Sequence, residues 1–238
     1  SIELDSKIED EFQQLILRRT NREPIAYILG YKEFWGLPFR VNAETLIPRP
    51  DSETLVELAL EFAEEYVQTA KAILDLGVGS GCLLIALLKN QPSASGVGVD
   101  ISYDTIMVAR SNAAMNHVLD RTAFFVGSWG TALGGLFDII VINPPYIGLD
   151  EEADLMRDVV AFEPRRALFS GKSGTEAYQR VSSQLPGLLR PNGRVFVELA
   201  AGMADQVGQI MSECGLIEHE RRQDLAGIER CSVFKLSH

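Results

Sequence analysis

The chain has 238 residues, 46% of them hydrophobic, and its 33 acidic side chains outnumber 22 basic ones, for a net charge of −11. That length supports one sizeable core, or one main domain with a small appendage. No run approaches eighteen apolar residues, so no membrane span is expected, and so acidic a chain lacks the basic face that duplex nucleic acid calls for.

Cys82, Cys214 and Cys231 fall in no CxxC or Cys/His spacing, which argues against zinc and against a disulfide framework. They read as buried free thiols in a reducing compartment. The opening SIELDSKIED is acidic and polar, unlike a signal peptide, and has no initiating Met, so the N-terminus reads as processed or trimmed.

In chain order, residues 3–19 place Leu4, Ile8, Phe12, Leu15 and Ile16 near helical spacing, predicting a short amphipathic helix. YKEFWGLPFRV (31–41) sets aromatics around a Gly-Leu-Pro break and reads as a hairpin. IPRPDSE then enters a helix with Leu55, Leu58, Phe62 and Tyr66 on one face, where Asp51 or Ser52 is the expected cap.

From residue 72 strands and helices alternate: strands at 72–76, 96–100, 122–127 and 137–143, with helices from Cys82 and Ser102 between them. A helix near 174–189, a strand at 194–200, a helix at 203–214 and strands near 216–220 and 231–236 complete the pattern. Short apolar strands alternating with helices indicate an α/β fold with a mostly parallel, Rossmann-like sheet covered on both faces. Ligands bind such sheets at the carboxyl ends of the strands, where the turn at 77–81, Asp100 and Asn143 all fall.

DLGVGSGC (Asp75 to Cys82) leaves a strand and opens a helix, and its glycines let backbone approach a ligand closely. Asp100, ending the next strand, can accept both ribose hydroxyls of an adenosine. The dinucleotide fingerprint needs G-x-G-x-x-G, but Cys82 stands where its third glycine would be, and no Gly-Lys-Ser/Thr follows to make a P-loop. The Gly77, Gly79, Gly81 spacing resembles motif I of class I methyltransferases, which bind S-adenosylmethionine. On that reading Asp75 sits near the methionine end, where a carboxylate suits the ammonium. The plain alternative is a tight turn with no ligand.

VINPPYI (Val141 to Ile147) ends a buried strand with an amide, two prolines and a tyrosine. An amide nitrogen is a poor nucleophile because its lone pair is delocalised into the carbonyl. Two fixed acceptors, the Asn143 side-chain oxygen and the Pro144 carbonyl, could each take one N–H and hold the nitrogen toward tetrahedral geometry. Pro145 restricts Pro144, stiffening that geometry before a substrate arrives, and Tyr146 can cover a flat substrate group. Catalysis then comes from positioning and from hydrogen bonds that improve as the nitrogen rehybridises. The plain alternative is that Pro-Pro only stops the strand. The tetrapeptide alone fits adenine, guanine and glutamine acceptors equally.

EPIAYILGYKEFWGLPFRVNAETLIPRPDSETLVELAL (Glu23 to Leu60), DLGVGSGCLLIALL, VINPPYI, FEPRRALFSGKSGTEAYQRV (Phe162 to Val181) and DLAGIERCSVF (Asp224 to Phe234) occur in this order. Together they resemble the HemK/PrmC family of protein-(glutamine-N5) methyltransferases, from about residue 21 onward. The resemblance implies a seven-stranded class I methyltransferase domain over 51–238, an N-terminal helical module over 1–30, shortened relative to the family, and a hairpin linker over 31–50.

It implies S-adenosylmethionine as methyl donor, S-adenosylhomocysteine as product, and no metal. Its substrate would be the glutamine in the Gly-Gly-Gln motif of class I peptide-chain release factors. By position, Asp75, Gly77, Val78, Gly79, Ser80, Gly81, Asp100, Ile101, Trp129 and Asn143 would contact the donor, and Arg49, Asn143, Pro144, Pro145 and Tyr146 the glutamine. Ser128 stands where the family often has Asp before this tryptophan, so Ser128 or a backbone carbonyl would face the adenine amino group. For Arg49 the competing reading is a segment that only shapes the entry to the next helix.

The expected protein is a monomer with no direct nucleic-acid or membrane partner, in the bacterial cytoplasm or, if organellar, the mitochondrial matrix. A nucleobase methyltransferase with the same site is the alternative, and a non-catalytic module holding a translation factor is a third reading. His117, His219 and His238 are scattered and read as surface or helix-end residues, not catalytic ones.

Overall fold

A computed structural model describes residues 6–67 and 71–237; Leu4, the Tyr66 side chain and His238 lie outside the described residues. The chain opens with α1 (Ser6–Thr20) and α2 (Ile25–Leu29), followed by an antiparallel hairpin of β1 (Tyr31–Phe34) and β2 (Leu37–Arg40). The expected hairpin is present, but it is more than a connector. Phe34 and Phe39 meet edge to face at 6.2 Å and are buried in the main core beside Leu55. Helix α1 forms, yet its apolar residues stay in solvent, with Phe12 57% exposed.

A 3-10 turn at Pro50–Ser52 leads into α3 (Glu53–Phe62). The sheet domain then runs β3 (Ala72–Leu76), α4 (Cys82–Asn90), β4 (Ser95–Asp100), α5 (Tyr103–Met115), β5 (Thr122–Val126) and β6 (Phe137–Ile142). Short helices α6 (Arg157–Phe162) and α7 (Arg165–Leu168) precede α8 (Glu176–Ser182), β7 (Leu189–Glu198), α9 (Ala204–Glu213), β8 (Leu216–Gln223) and β9 (Glu229–Leu236). Among the described residues the sheet has seven strands in the order β5-β4-β3-β6-β7-β9-β8, parallel except for β9, which runs antiparallel to both neighbours.

Alternation along the strands divides the core in two, because successive side chains point to opposite faces. Ile73, Ile139, Val141 and Phe196 pack with α3, α4 and α5, while Leu74, Ile140, Ile142 and Val197 pack with α8 and α9. Strand order reverses about β3, so the loops after β3, β4 and β6 gather at one edge.

Two expected boundaries are corrected. The helix expected over 174–189 ends at Ser182, and a 3-10 turn at Leu185–Gly187 follows, because Pro186 has no N–H to continue the ladder. Strand β7 consequently starts at Leu189, and its pairing with β6 shifts register between Phe137 and Ile139. The helix cap expected at residue 51 or 52 is not made: Ser52 has helical dihedrals (φ −68°, ψ −12°) and bonds no amide of α3 with its side chain, since a cap needs extended backbone to turn its oxygen onto the first turn.

Candidate functional site

The turn after β3 is built by its backbone. The Gly77 and Val78 amides both donate to the Val99 carbonyl at 2.9 Å, tying the turn to the end of β4. Gly81 has φ +84°, and a Cβ there would lie 3.0 Å from Ile85 Cδ1 and 3.4 Å from Ala109 Cβ, so glycine sets how closely α4 and α5 approach. Asp100 receives the Gly79 amide at 3.2 Å and the Ser102 amide at 3.0 Å. Burial still raises its carboxyl above the ordinary range, against the pull of those amides and of the nearby Arg166 guanidinium.

Arg166, on α7, donates to the Glu44 carboxylate and carbonyl at 2.7 and 2.9 Å, and reaches Ser102 and Thr105. It fastens the segment before the 3-10 turn to the start of α5. Asn112, fully buried on α5, makes a similar junction: it accepts the Arg40 amide at 2.8 Å and donates to the Arg40 and Ser80 carbonyls at 3.0 and 2.8 Å.

These loops enclose a cleft of about 370 Å³. Of the residues expected to contact the donor, Gly77, Val78, Gly79, Ser80, Asp100, Ile101 and Trp129 line it, and of those expected to contact the glutamine, Arg49, Asn143 and Pro145 do. Ser128 is also on the wall. Ile101 is two-thirds exposed, at the rim. Trp129 is half-buried with φ +54°, a left-handed backbone that few non-glycine residues adopt, and a Cβ on Gly77 would lie 3.5 Å from its ring.

Asp75, Gly81, Pro144 and Tyr146 are not on the cleft wall. Asp75 is 1% exposed, neither carboxylate oxygen has a hydrogen-bond partner, and burial lifts its carboxyl to about 7, with the Leu84 amide only partly opposing. An orphaned carboxylate two residues before Gly77 suits a cationic partner. Pro144 is buried and Tyr146 half-buried; the Tyr146 hydroxyl is 3.5 Å from Glu198 Oε1, and burial, then Glu198, raises it above its usual range.

Arg49 binds Glu163 at 2.5 Å, and Glu163, nearly solvent-free, also takes the Ile47 amide at 3.1 Å. Arg49 is thus oriented at the rim by a buried partner. The Asn143 amide nitrogen donates to Ser52 Oγ at 3.2 Å. Behind them Ile147 pairs with Leu168 and Ser170 main chain, and Gly174, at φ +81°, abuts the Tyr146 carbonyl, where a Cβ would come within 2.4 Å.

Ser52, Glu163, Arg166 and Glu198 were not singled out by residue-type reasoning. Glu163 and Arg166 stand in the FEPRRAL segment that carries the family resemblance, Ser52 has the local pattern of a helix cap, and Glu198 ends an apolar strand with no local signal. The cysteines are free, with Cys231 buried and Cys82 and Cys214 half-buried, so full burial holds for one of three. Among the described residues no cluster of His, Cys, Asp and Glu is arranged to hold a metal, and no helix is long and apolar enough to cross a membrane.

Residues 52–173 match the Methyltransferase small domain family and residues 1–30 the PrmC N-terminal domain family. The chain is 43% identical over 223 residues to Release factor glutamine methyltransferase of Rhodospirillum rubrum, covering 94% of this chain and 68% of that protein. The same-named protein of Bradyrhizobium diazoefficiens is 44% identical, covering 90% of this chain and 72% of its own. The solved hMettl16 catalytic domain, in complex with the MAT2A 3′UTR hairpin 6, superposes with a TM-score of 0.67 over 90% of this chain and 81% of its own, at 17% identity, a likeness of fold alone.

Proposed function

This chain belongs to the release factor glutamine methyltransferase family, and from that premise we propose that its cleft methylates the side-chain amide nitrogen of a glutamine, that of the Gly-Gly-Gln motif in class I peptide-chain release factors. The observation that carries this reading is the closeness of two loops. A Cβ on Gly77 would lie 3.9 Å from the Asn143 carbonyl oxygen, so the turn suited to a nucleoside cofactor touches the strand end suited to a planar amide.

S-adenosylmethionine, when bound, supplies an electrophilic methyl on a sulfonium. The donor set of this chain suits it: Asp75 offers an uncompensated carboxylate for the ammonium, Asp100 two oxygens for ribose hydroxyls, and Trp129 a ring for the adenine. Asn143 Oδ1 and the Pro144 carbonyl accept the two N–H groups of the glutamine, drawing the nitrogen toward the geometry of the transition state. Tyr146 backs this pocket, and Arg49 borders it. Methyl transfer leaves the amide nitrogen with both its protons and a positive charge, and this cation is acidic enough to release one proton to water, so no strong base is needed. The helical module over 1–30, the hairpin linker over 31–50 and the catalytic domain over 51–238 act together as a monomer, without direct nucleic-acid contact, and the net charge of −11 steers a basic protein substrate.

Intact-mass analysis of a release factor incubated with this protein and S-adenosylmethionine tests the reading. The expected result is one added methyl, mapped to the Gly-Gly-Gln glutamine. An unmodified glutamine, with labelled methyl passing instead to nucleic acid, would transfer the assignment to the nucleobase alternative.

A further inference from the structure

The Ser52 hydroxyl carries one proton, and its surroundings decide where that proton goes. Ser52 is 3% exposed, and its oxygen already accepts the Asn143 amide nitrogen at 3.2 Å. It spends no bond on capping α3. Glu198, the last residue of β7 and 2% exposed, lies near enough for the Ser52 hydroxyl to favour its charged form. Glu198 Oε1 reaches the Tyr146 hydroxyl at 3.5 Å, whereas Oε2 is buried without a hydrogen-bond partner. A carboxylate with an orphaned oxygen, near a hydroxyl whose proton has no acceptor, is an incomplete pair.

We propose that Glu198, acting through the Ser52 hydroxyl, is a positioning residue that fixes which face of the Asn143 amide looks into the cleft. The inference rests on the proposed glutamine reading of that cleft. With Glu198 ionised, the Ser52 proton is committed to the carboxylate, so the Ser52 oxygen only accepts. Asn143 must then present its NH2 to Ser52, leaving Oδ1 turned toward the cleft as an acceptor. The same carboxylate receives the Tyr146 hydroxyl, so one buried group braces both ends of the Asn-Pro-Pro-Tyr turn.

With Glu198 protonated the order reverses. Its O–H can donate to Ser52, whose own proton then seeks an acceptor in Asn143 Oδ1. The amide flips, and an NH2 group faces the N–H donors of the substrate. Burial lifts the Glu198 carboxyl to about 7, against the Ser52 hydroxyl and the Arg230 guanidinium, so the reversal falls in the neutral range.

The groups facing Glu198 are Asp51 on the 3-10 turn, Arg230 and Cys231 on β9, Tyr146 after β6, Tyr178 on α8 and Cys82 on α4. Arg230 stays a guanidinium, bound to Asp224 at 3.1 Å and Asp51 at 3.4 Å. Burial moves both tyrosines and both thiols upward, Cys82 to about 12, so none of these titrates near 7.

The test is the pH dependence of kcat with a release factor at saturating S-adenosylmethionine, for the wild type, Glu198→Gln, Ser52→Ala and Ser52→Thr. The wild type should lose roughly tenfold in kcat per pH unit below 7, as one required ionisation dictates. Glu198→Gln should abolish that acid limb and lower kcat at pH 8 by about tenfold or more, a loss of hydrogen-bond scale, with KM changed little. Ser52→Ala should behave alike, and Ser52→Thr, which keeps the hydroxyl, should recover most of the rate. An unchanged acid limb in a folded Glu198→Gln protein would overturn the inference.

A second measurement needs neither substrate nor variant. The Asn143 side-chain amide resonance of the wild type should titrate between pH 6 and 8, following the Glu198 carboxyl at about 7; a static resonance would also overturn it. A resonance that titrates in a protein inert toward release factors would overturn the glutamine reading and leave the relay standing.

Discussion

The two rims of the sheet treat buried acids in opposite ways. At the entry to β6, Asp138 is 8% exposed and well provided: it accepts the Lys71 and Ala72 amides at 3.0 and 2.9 Å and faces Arg190 at 3.6 Å. At the exits of β3 and β7, Asp75 and Glu198 are buried more deeply, yet keep oxygens with no partner. A folded protein satisfies its buried polar groups almost everywhere, so these two exceptions point to roles other than stability. One rim closes the structure, and the other carries the residues of the proposed site.

Substitutions on opposite rims should therefore separate stability from activity. Asn143→Ala should cost on the order of 100- to 1000-fold in kcat, the scale for losing one preorganised transition-state hydrogen bond, with Tm nearly unchanged. Asp138→Ala should do the reverse, lowering stability by about 1–3 kcal/mol by stranding the Lys71 and Ala72 amides, while the folded fraction keeps its kcat/KM. Denaturant unfolding and steady-state kinetics on both variants would break the comparison if either moved the other quantity.

Asp75→Asn sharpens it. Removing the orphan charge should weaken S-adenosylmethionine binding by about tenfold or more, roughly 1.4 kcal/mol, while the free protein becomes no less stable at pH 8. Calorimetric titration with a parallel melting curve would show whether the two effects have these opposite signs.

The smallest effect is on stability against pH. Asp75 and Glu198 titrate near 7 in the fold, above their ordinary values of 3.8 and 4.5, so the folded state holds protons that the unfolded chain has released. Stability from such groups is full at low pH and is lost as pH rises through 7, by about 1 kcal/mol for each between pH 6 and 8. The carboxylates held low, Glu23, Glu152, Glu176 and Asp224, are ionised throughout this window and contribute no slope. The wild-type melting temperature should fall over this range, and Asp75→Asn should remove about half of the fall.

The same contrast explains what the sequence made legible. Strands such as FDIIVI and the glycine turn are written in neighbouring residues, through apolar runs and through spacing, so local patterns find them. Asn143 and Asp100 follow, because strand ends share one edge once topology is known. Ser52 did not, because its partner stands 91 positions away, and neither did Glu163, 114 positions from Arg49. Ser52 also had a persuasive local explanation in capping, which the chain's helical backbone at that residue excludes. The helix expected to reach 189 failed at Pro186, where an apolar run continued although the N–H supply did not.

Asn112 gives the hairpin a mechanical meaning. One buried amide grips both backbone groups of Arg40 and, on the same nitrogen, the carbonyl of Ser80. Displacement of β2 is therefore not absorbed as slack between the helical segment and the sheet; it is delivered as tension to the loop between β3 and α4. Whatever holds β2 in place therefore also sets how tightly that loop is drawn.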